Sequence, residues 1–335
     1  MKLSVLDQSV ACAGRDEGDA LRDTVALARH CEALGYERFW VSEHHGMPTI
    51  VGSAPEIVMA AIAARTHRIR IGSAGVMLPH YAALKVAEQF RVLDALAPGR
   101  IDLGVGRAPG SDMRTAMALN PGAAHAADGF PQQVVDLQAW TRGQRHQGIW
   151  AHPRPPVGAT PAQAPELWIL GSSNYGAQLA AHLGLPYAFA YFFMDGQGCE
   201  EALDLYRRLY QPSERHPTPQ PTICVWALAA DTADEARHHA LSRDRWRLDR
   251  QRGLLGPLRT PASIVEQGFT DDELPAVAAT QAKAFVGTAA EVGARLRALA
   301  GALDLHELVV NTWAHAPAVR RQSYALLARE FALTP

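Results

Sequence analysis

Four short clusters in this sequence carry residue types that could do chemistry. Glu43, His44 and His45 stand together in RFWVSEHHG. An imidazole titrates near neutrality and can act as general acid or base, and neighbouring histidines on a strand point to opposite faces. His44 is the candidate catalytic residue, with a hydrogen-bonded or surface histidine as the competing reading. A second cluster, GVGRAPG, places Arg107 among Gly104, Gly106 and Gly110. Small residues let a flat or anionic ligand approach the backbone, and an arginine grips phosphate with a two-pronged fork; a tight turn with a solvated arginine explains the same letters. In the third, Gly171-Ser172-Ser173-Asn174-Tyr175-Gly176, free N–H groups at a helix start and two hydroxyls suit a phosphate. Plain capping by Ser173 or Asn174 is the alternative. The fourth, Ser73-Ala74-Gly75, has little side-chain bulk. It suits either close approach of a planar ring or simple helix–strand packing. No spacing of His, Cys or acids reads as a metal site, HEXXH included.

These clusters need elements to hold them at one place. Ile69–Gly110 reads as strand, helix, strand: IRIGSAGVMLP, the amphipathic run YAALKVAEQFRVLDALAPG, then RIDLGVGRAPG. Near-continuous apolar strands are covered on both faces, as in a parallel sheet, so this is one right-handed βαβ unit. Strand patterns recur at Leu3–Ser9, Arg38–Gly46, Leu167–Ser173, Pro186–Phe192, Ile223–Ala230 and Glu307–Trp313. Helices are expected from Asp19 to Leu34, from Ser53 to Arg65, over Phe130–Gly143, from Asn174, after a Thr232 cap, and over Gly287–Ala300 and Ala316–Phe331. Eight strands alternating with helices make a single (β/α)8 TIM barrel spanning 1–335, with insertions after strands 4 and 7. A doubly wound sheet would begin with a GxGxxG turn, and Ser9–Gly14 reads SVACAG. All four clusters then fall at the carboxyl edge. Residues 148–166, with five prolines, read as a surface loop, and 252–283, mixing Gly, Pro and acids, as a lid. Trp168, Phe192, Phe193, Met194 and Trp226 read as core.

Composition excludes several classes. The 335 residues are 48% apolar with a net charge of −2, so no basic excess points to nucleic acid, and no apolar run reaches a membrane span. MKLSVLDQSV enters a strand pattern without a basic n-region, so no signal peptide is expected. Four scattered cysteines (Cys12, Cys31, Cys199, Cys224) read as reduced thiols, and a cytoplasmic address follows.

Taken together the segments resemble the bacterial luciferase-like flavin monooxygenases. The matching pieces are LSVLDQS, FWVSEHH, IRIGSAGVMLP, KVAEQF, LAPGRIDLGVGRAPG, LGSSNYGAQLAAHLGLPYAFA and VGTAAEV. The resemblance implies a TIM barrel, reduced FMN (FMNH2) as cofactor or substrate, and O2 activated as a flavin C4a-hydroperoxide. By the same resemblance Arg107 matches a phosphate-binding arginine and Ser173 a phosphate-contacting serine. His44 matches a histidine needed for turnover, and Ala74–Gly75 a non-prolyl cis peptide beneath the flavin ring. Gly106 stands where luciferase has a reactive cysteine, which argues against light emission. The implied reaction oxidises a small aldehyde, ketone or aromatic, with a flavin reductase supplying FMNH2 and a homodimer packing its second and third helices. F420-dependent dehydrogenation on the same barrel is the alternative, and a non-catalytic flavin-binding barrel the third reading.

Overall fold

A computed structural model describes residues 1–160 and 163–335, so positions 161–162 of the proline-rich stretch lie outside the described residues. The chain runs β1 (Lys2–Asp7), α1 (Glu17–Ala33), β2 (Arg38–Val41), α2 (Pro55–Ala63), β3 (Arg70–Met77), α3 (Ala83–Leu96) and β4 (Ile101–Gly106). Then come α4 (Met113–Leu119), α5 (Ala123–Ala126), α6 (Phe130–Thr141), β5 (Glu166–Gly171), α7 (Asn174–Leu183), β6 (Tyr187–Phe189), α8 (Cys199–Leu209) and β7 (Pro221–Ala230). The rest is α9 (Ala233–Gln251), α10 (Pro261–Gln267), α11 (Leu274–Lys283), β8 (Phe285–Thr288), α12 (Ala289–Ala302), β9 (Glu307–Asn311) and α13 (Pro317–Glu330).

Eight parallel strands close on themselves. β1 pairs with β2 and β9, β7 with β9, and the ring shuts where β6 meets β7, Phe189 opposite Ile223. This is the (β/α)8 barrel expected, with three helices between β4 and β5 and a long excursion after β7. The ninth strand, β8, was not anticipated. β7 is ten residues long and outruns the ring; its second half, Ala227–Ala230, takes β8 as an extra partner. The stretch read as the start of a helix at Gly287 is thus strand first. The helix begins at Ala289 behind a capping box between Thr288 and Glu291.

Alternation along each strand builds two cores. Leu6, Trp40, Trp168, Ala188, Cys224 and Val309 point inward and fill the barrel, while Val5, Phe39 and Ile71 point outward under the helices. With both faces covered, the strands read as continuous apolar runs. Val86, Phe90 and Leu93 of α3 lie in this outer core. They form the stripe that seals α3 to the barrel. Val92 and Leu96 of α3 are exposed, as is Ile57 of α2.

The floor of the barrel is charged. Arg38, first residue of β2, binds Asp102 at 2.9 Å, Glu166 at 2.7 Å and Glu307 at 3.0 Å, and Arg70 pairs with Asp102. This network sits at the amino ends of the strands, so open space remains at the carboxyl ends.

Candidate active site

β2 stops at Val41, earlier than the sequence suggested, because the chain turns in at Ser42 and Glu43, both buried. The Glu43 carboxylate accepts from the Met77 N–H at 3.0 Å and the Tyr81 hydroxyl at 2.6 Å, and bonds the His45 imidazole at 2.7 Å. His45 is thereby committed. His44 is not. Its backbone N–H donates to Gly52 O at 3.0 Å, but its Nδ1 is buried with no partner. Burial pushes its pKa down to about 4, so the imidazole is neutral at neutral pH.

β3 and β4 end in a surface without side chains. The Ala74–Gly75 peptide is cis, and the β3–β4 register shifts between Ser73 and Val76. Only glycine fits at two points here. A Cβ on Gly75 would come within 2.4 Å of Leu170 Cδ1, and one on Gly104 within 2.2 Å of the Ser73 carbonyl oxygen. Beyond β4 the chain exposes Arg107, whose Cζ lies 3.9 Å from the centroid of the Tyr175 ring. No carboxylate pairs with Arg107 among the described residues. Tyr175 belongs to the first turn of α7, so guanidinium and helix start face the same space.

At that start Ser173 is the N-cap residue with an extended backbone, yet its hydroxyl makes no cap bond. Ser172 and Ser173 are exposed, and Gly176 packs on the Tyr187 ring. Free N–H groups, two uncommitted hydroxyls and a guanidinium suit an anion. Asn174 departs from the expectation. Its amide donates to Glu201 Oε1 on α8 at 2.5 Å, and it does not face the cavity.

Two chambers open at this end. The smaller, about 330 Å³, is walled by Ala74, Gly75, Arg107, Ser172, Ser173 and Tyr175, among others. The larger, about 430 Å³, lies toward α9. They share Gln8, His44, Gly110, Phe192 and Phe193, so His44 stands where they meet. Several wall residues were missed or misread in the sequence. Phe192 and Phe193 sit in a turn after β6 with rings 4.5 Å apart; they cover the mouth, and Met194 is exposed rather than core. Trp168 is core as expected, whereas Trp226 is both core and chamber wall. Gln8 accepts from Asn311 at 2.6 Å and from Trp313 at 3.1 Å, which fixes the base of the larger chamber. Arg243 was overlooked, although its signal was present: Ala236, Ala240 and Arg243 share one face of α9, so a charge stands on an apolar stripe.

The segment expected as a lid holds α10 and α11. Its loop is tied to the β1–α1 loop by backbone bonds between Leu258 and both Ala11 and Ala13, and Glu273 binds Arg245 at 3.0 Å and Arg252 at 2.5 Å. Gly253 and Leu255 of this loop touch the larger chamber. Among the described residues no group of three or more His, Cys, Asp or Glu could hold a metal ion, and no helix is long and apolar enough to cross a membrane.

Comparison with known proteins bears on this architecture. The model of the luciferase-like monooxygenase family matches residues 1–306. An N-acetyl-S-alkylcysteine monooxygenase of Bacillus subtilis is 36% identical, covering 98% of this chain and 97% of its own. The apo structure of MsnO8 superposes with a TM-score of 0.92 at 36% identity, covering 100% of this chain and 99% of that one. The oxygenating constituent of a 3,6-diketocamphane monooxygenase from Pseudomonas putida, solved with FMN, shares the fold at a TM-score of 0.72 and 18% identity over 98% of this chain and 97% of its own. A whole-length relative above 30% identity and a family match over most of the chain leave one assignment: this chain belongs to the luciferase-like monooxygenase family.

Proposed function

We propose that this protein is a flavin-dependent monooxygenase that uses FMNH2 and O2 to oxidise a small organic substrate, releasing oxygenated product and water. The observation that carries the reading is the pair of chambers meeting at His44. The lining of one suits a flat, phosphate-bearing molecule, and the aromatic residues of the other suit the body of an organic substrate. The fit to FMN is tested by the residues themselves: Arg107 lacks a carboxylate, Ser173 leaves its helix uncapped, and Gly75 and Gly104 leave no room for a side chain. Arg107 and the Ser172–Gly176 loop would hold the phosphate, and Ala74 and Gly75 would lie against the ring. Asn174 contributes to that loop through its backbone alone. Reduced flavin, when bound, supplies the two electrons that activate O2.

His44 is the residue assigned to proton handling. Its neutral imidazole has a free nitrogen at the junction, where reacting atoms of flavin and substrate would meet. Phe192 and Phe193 line both chambers at the junction and would limit the access of water to it. A flavin reductase elsewhere would supply FMNH2, in the cytoplasm, where the four free cysteines stay reduced. The exposed Ile57, Val92 and Leu96 on α2 and α3 support a homodimer packed through those helices. The 252–283 segment is proposed to tighten when flavin and substrate bind.

The direct test titrates FMN, FMNH2 and reduced F420 against the purified protein and then follows O2 uptake with candidate aldehydes, ketones and aromatics. Binding of FMN or FMNH2 with substrate-dependent O2 consumption is expected. Tight binding of reduced F420 without flavin binding would replace the proposal with the dehydrogenase reading.

A further inference from the structure

The larger chamber holds a charge that the flavin reading does not use. Arg243, on the barrel-facing stripe of α9, is 5% exposed and lines this chamber. Its Cζ stacks 3.6 Å from the centroid of the Trp226 ring. Its Nη1 is buried without a hydrogen-bond partner, and no carboxylate pairs with it among the described residues. The indole Nε1 of Trp226, in the same wall, is likewise buried with no acceptor. Arg247, one turn on, is held by both oxygens of Asp195 at 2.8 Å. The neighbouring Asp244 carboxylate accepts from Gln281 through Oδ2 at 3.0 Å, while its buried Oδ1 makes no hydrogen bond, to Arg243 or to any other group. Two side chains that line the chamber, one of them cationic, therefore each keep a buried donor with nothing to receive it.

A buried charge without a partner is costly, and a guanidinium is completed best by a planar group that only accepts. Ile50, Phe192, Trp246 and Trp313 make part of the wall apolar and aromatic, beside the polar Gln8, Asp112, Arg247 and Arg250. That lining suits a hydrocarbon or aromatic body behind one anionic head. Burial, with Arg247 adding repulsion, pushes the Arg243 pKa down to about 9, which leaves it cationic at neutral pH. An anion in the chamber would remove that penalty.

We infer that Arg243 and Trp226 form a carboxylate-binding site, so that the substrate of this enzyme is a small organic acid with an apolar or aromatic body. The reaction part of this statement rests on the monooxygenase reading; the binding part does not.

The test uses the purified full chain without added flavin. It is titrated with 3-phenylpropionate and with 3-phenylpropionamide, which keeps the body and removes the charge. Binding is followed by calorimetry and by tryptophan fluorescence. The acid is expected to bind at least about tenfold more tightly than the amide, as a charge-assisted bond predicts. Arg243→Met should abolish that preference while leaving amide affinity unchanged, and Arg243→Lys should keep part of it. Thermal melts check the fold of each variant, and Arg243→Met, which removes an uncompensated buried charge, should melt no lower than wild type. Equal affinity for acid and amide, a preference that survives in Arg243→Met, or failure of both the phenylpropionate and shorter and longer aryl and alkyl acids to bind at millimolar concentration would each overturn the inference. FMN affinity is measured in parallel and should be the same in Arg243→Met and wild type. If the variant weakens FMN and the acid competes with it, Arg243 belongs to the cofactor phosphate and the inference falls. If the acid binds as expected while FMNH2 neither binds nor drives O2 uptake, the oxygenase reading falls and the carboxylate site stands.

Discussion

The two ends of the barrel treat the same residue type in opposite ways. At the floor Arg38 meets three carboxylates, and although burial alone would lower its pKa, Asp102, Glu307 and Glu166 outweigh burial and raise it. At the mouth Arg243 is buried to a similar degree and meets none, so its pKa falls. Arg107 stacks on an aromatic ring without an acid, and His44 keeps an unpartnered nitrogen. The floor is electrostatically finished; the mouth is not. A closed network serves the fold, and unsatisfied donors at a strand-end cavity await a ligand. The division can be broken from either side.

The largest effect is expected at the floor. Arg38→Met would leave Asp102, Glu166 and Glu307 without their shared partner, with Arg70 and Arg215 still beside Glu166. Losing one partner of a buried ion pair costs about 3–5 kcal/mol, which denaturant unfolding would register directly. The pH dependence has a definite sign. Burial raises the Glu166 carboxyl, but the guanidinia of Arg38 and Arg70 outweigh it and hold the folded pKa at about 2, below the ordinary 4.5. The stabilisation is therefore complete above about pH 4.5 and drains away as pH falls toward 2. The variant should lose much of this slope. An unchanged unfolding free energy in Arg38→Met would show the floor to be surface-like after all.

Next in size is the junction. His44→Ala should lower coupled turnover by about 10²–10⁴ while leaving the FMN dissociation constant within a few-fold, because the side chain touches both chambers but not the anion-binding edge. Hydrogen peroxide released in place of oxygenated product would account for the lost coupling. Full coupled turnover in the variant would return His44 to an ordinary buried histidine.

Arg107→Ala should act in the reverse sense. It should weaken FMN about ten- to a hundredfold, the worth of a charge-assisted bond, while lumiflavin, which lacks the phosphate, binds variant and wild type alike. The fold should be unaffected, since no carboxylate depends on Arg107. Equal FMN affinity in the two proteins would detach Arg107 from the anion site.

What the sequence made legible follows the same division. The eight ring strands were readable because parallel strands buried on both faces must be apolar throughout; Ala74, Gly75, Arg107 and Ser173 stand out because backbone approach and helix starts leave local signatures, and the fold brings them to one chamber. Other features depend on tertiary context. β8 is four residues long, FVGT, and exists only because β7 outruns its ring. Helix α8 is not among the expected helices, although Cys199, Ala202, Leu203 and Tyr206 fall on one face. Gln8, Asn311 and Trp313 come together from the two ends of the chain, and no spacing rule links positions 303 residues apart. Arg243 stands in an arginine-rich helix in which Asp244 and Arg245 are buried too and Arg247 and Arg250 also line the larger chamber, so its place on the apolar stripe is one signal among several charges.

The smallest expected effect separates two adjacent residues that the sequence could not tell apart. Ser173 and Asn174 are both natural helix-start residues, and both read as phosphate contacts. In the fold their side chains diverge. The Ser173 hydroxyl is exposed and uncommitted at the cavity edge, whereas the Asn174 amide reaches back to Glu201 and braces α7 against α8. Asn174→Ala should therefore change FMN affinity by less than about twofold. An exposed hydrogen bond to a carboxylate is worth on the order of 1 kcal/mol, so the loss should appear as a small drop in melting temperature. Ser173→Ala should do the opposite, weakening FMN several-fold with the melt unchanged, because that hydroxyl supports nothing in the unliganded fold. Measuring both variants by FMN titration and thermal melt tests the rule at its finest grain. If Asn174→Ala weakens FMN as much as Ser173→Ala does, the amide swings from Glu201 to the ligand, and hydrogen bonds of the empty mouth do not mark which groups are reserved for binding.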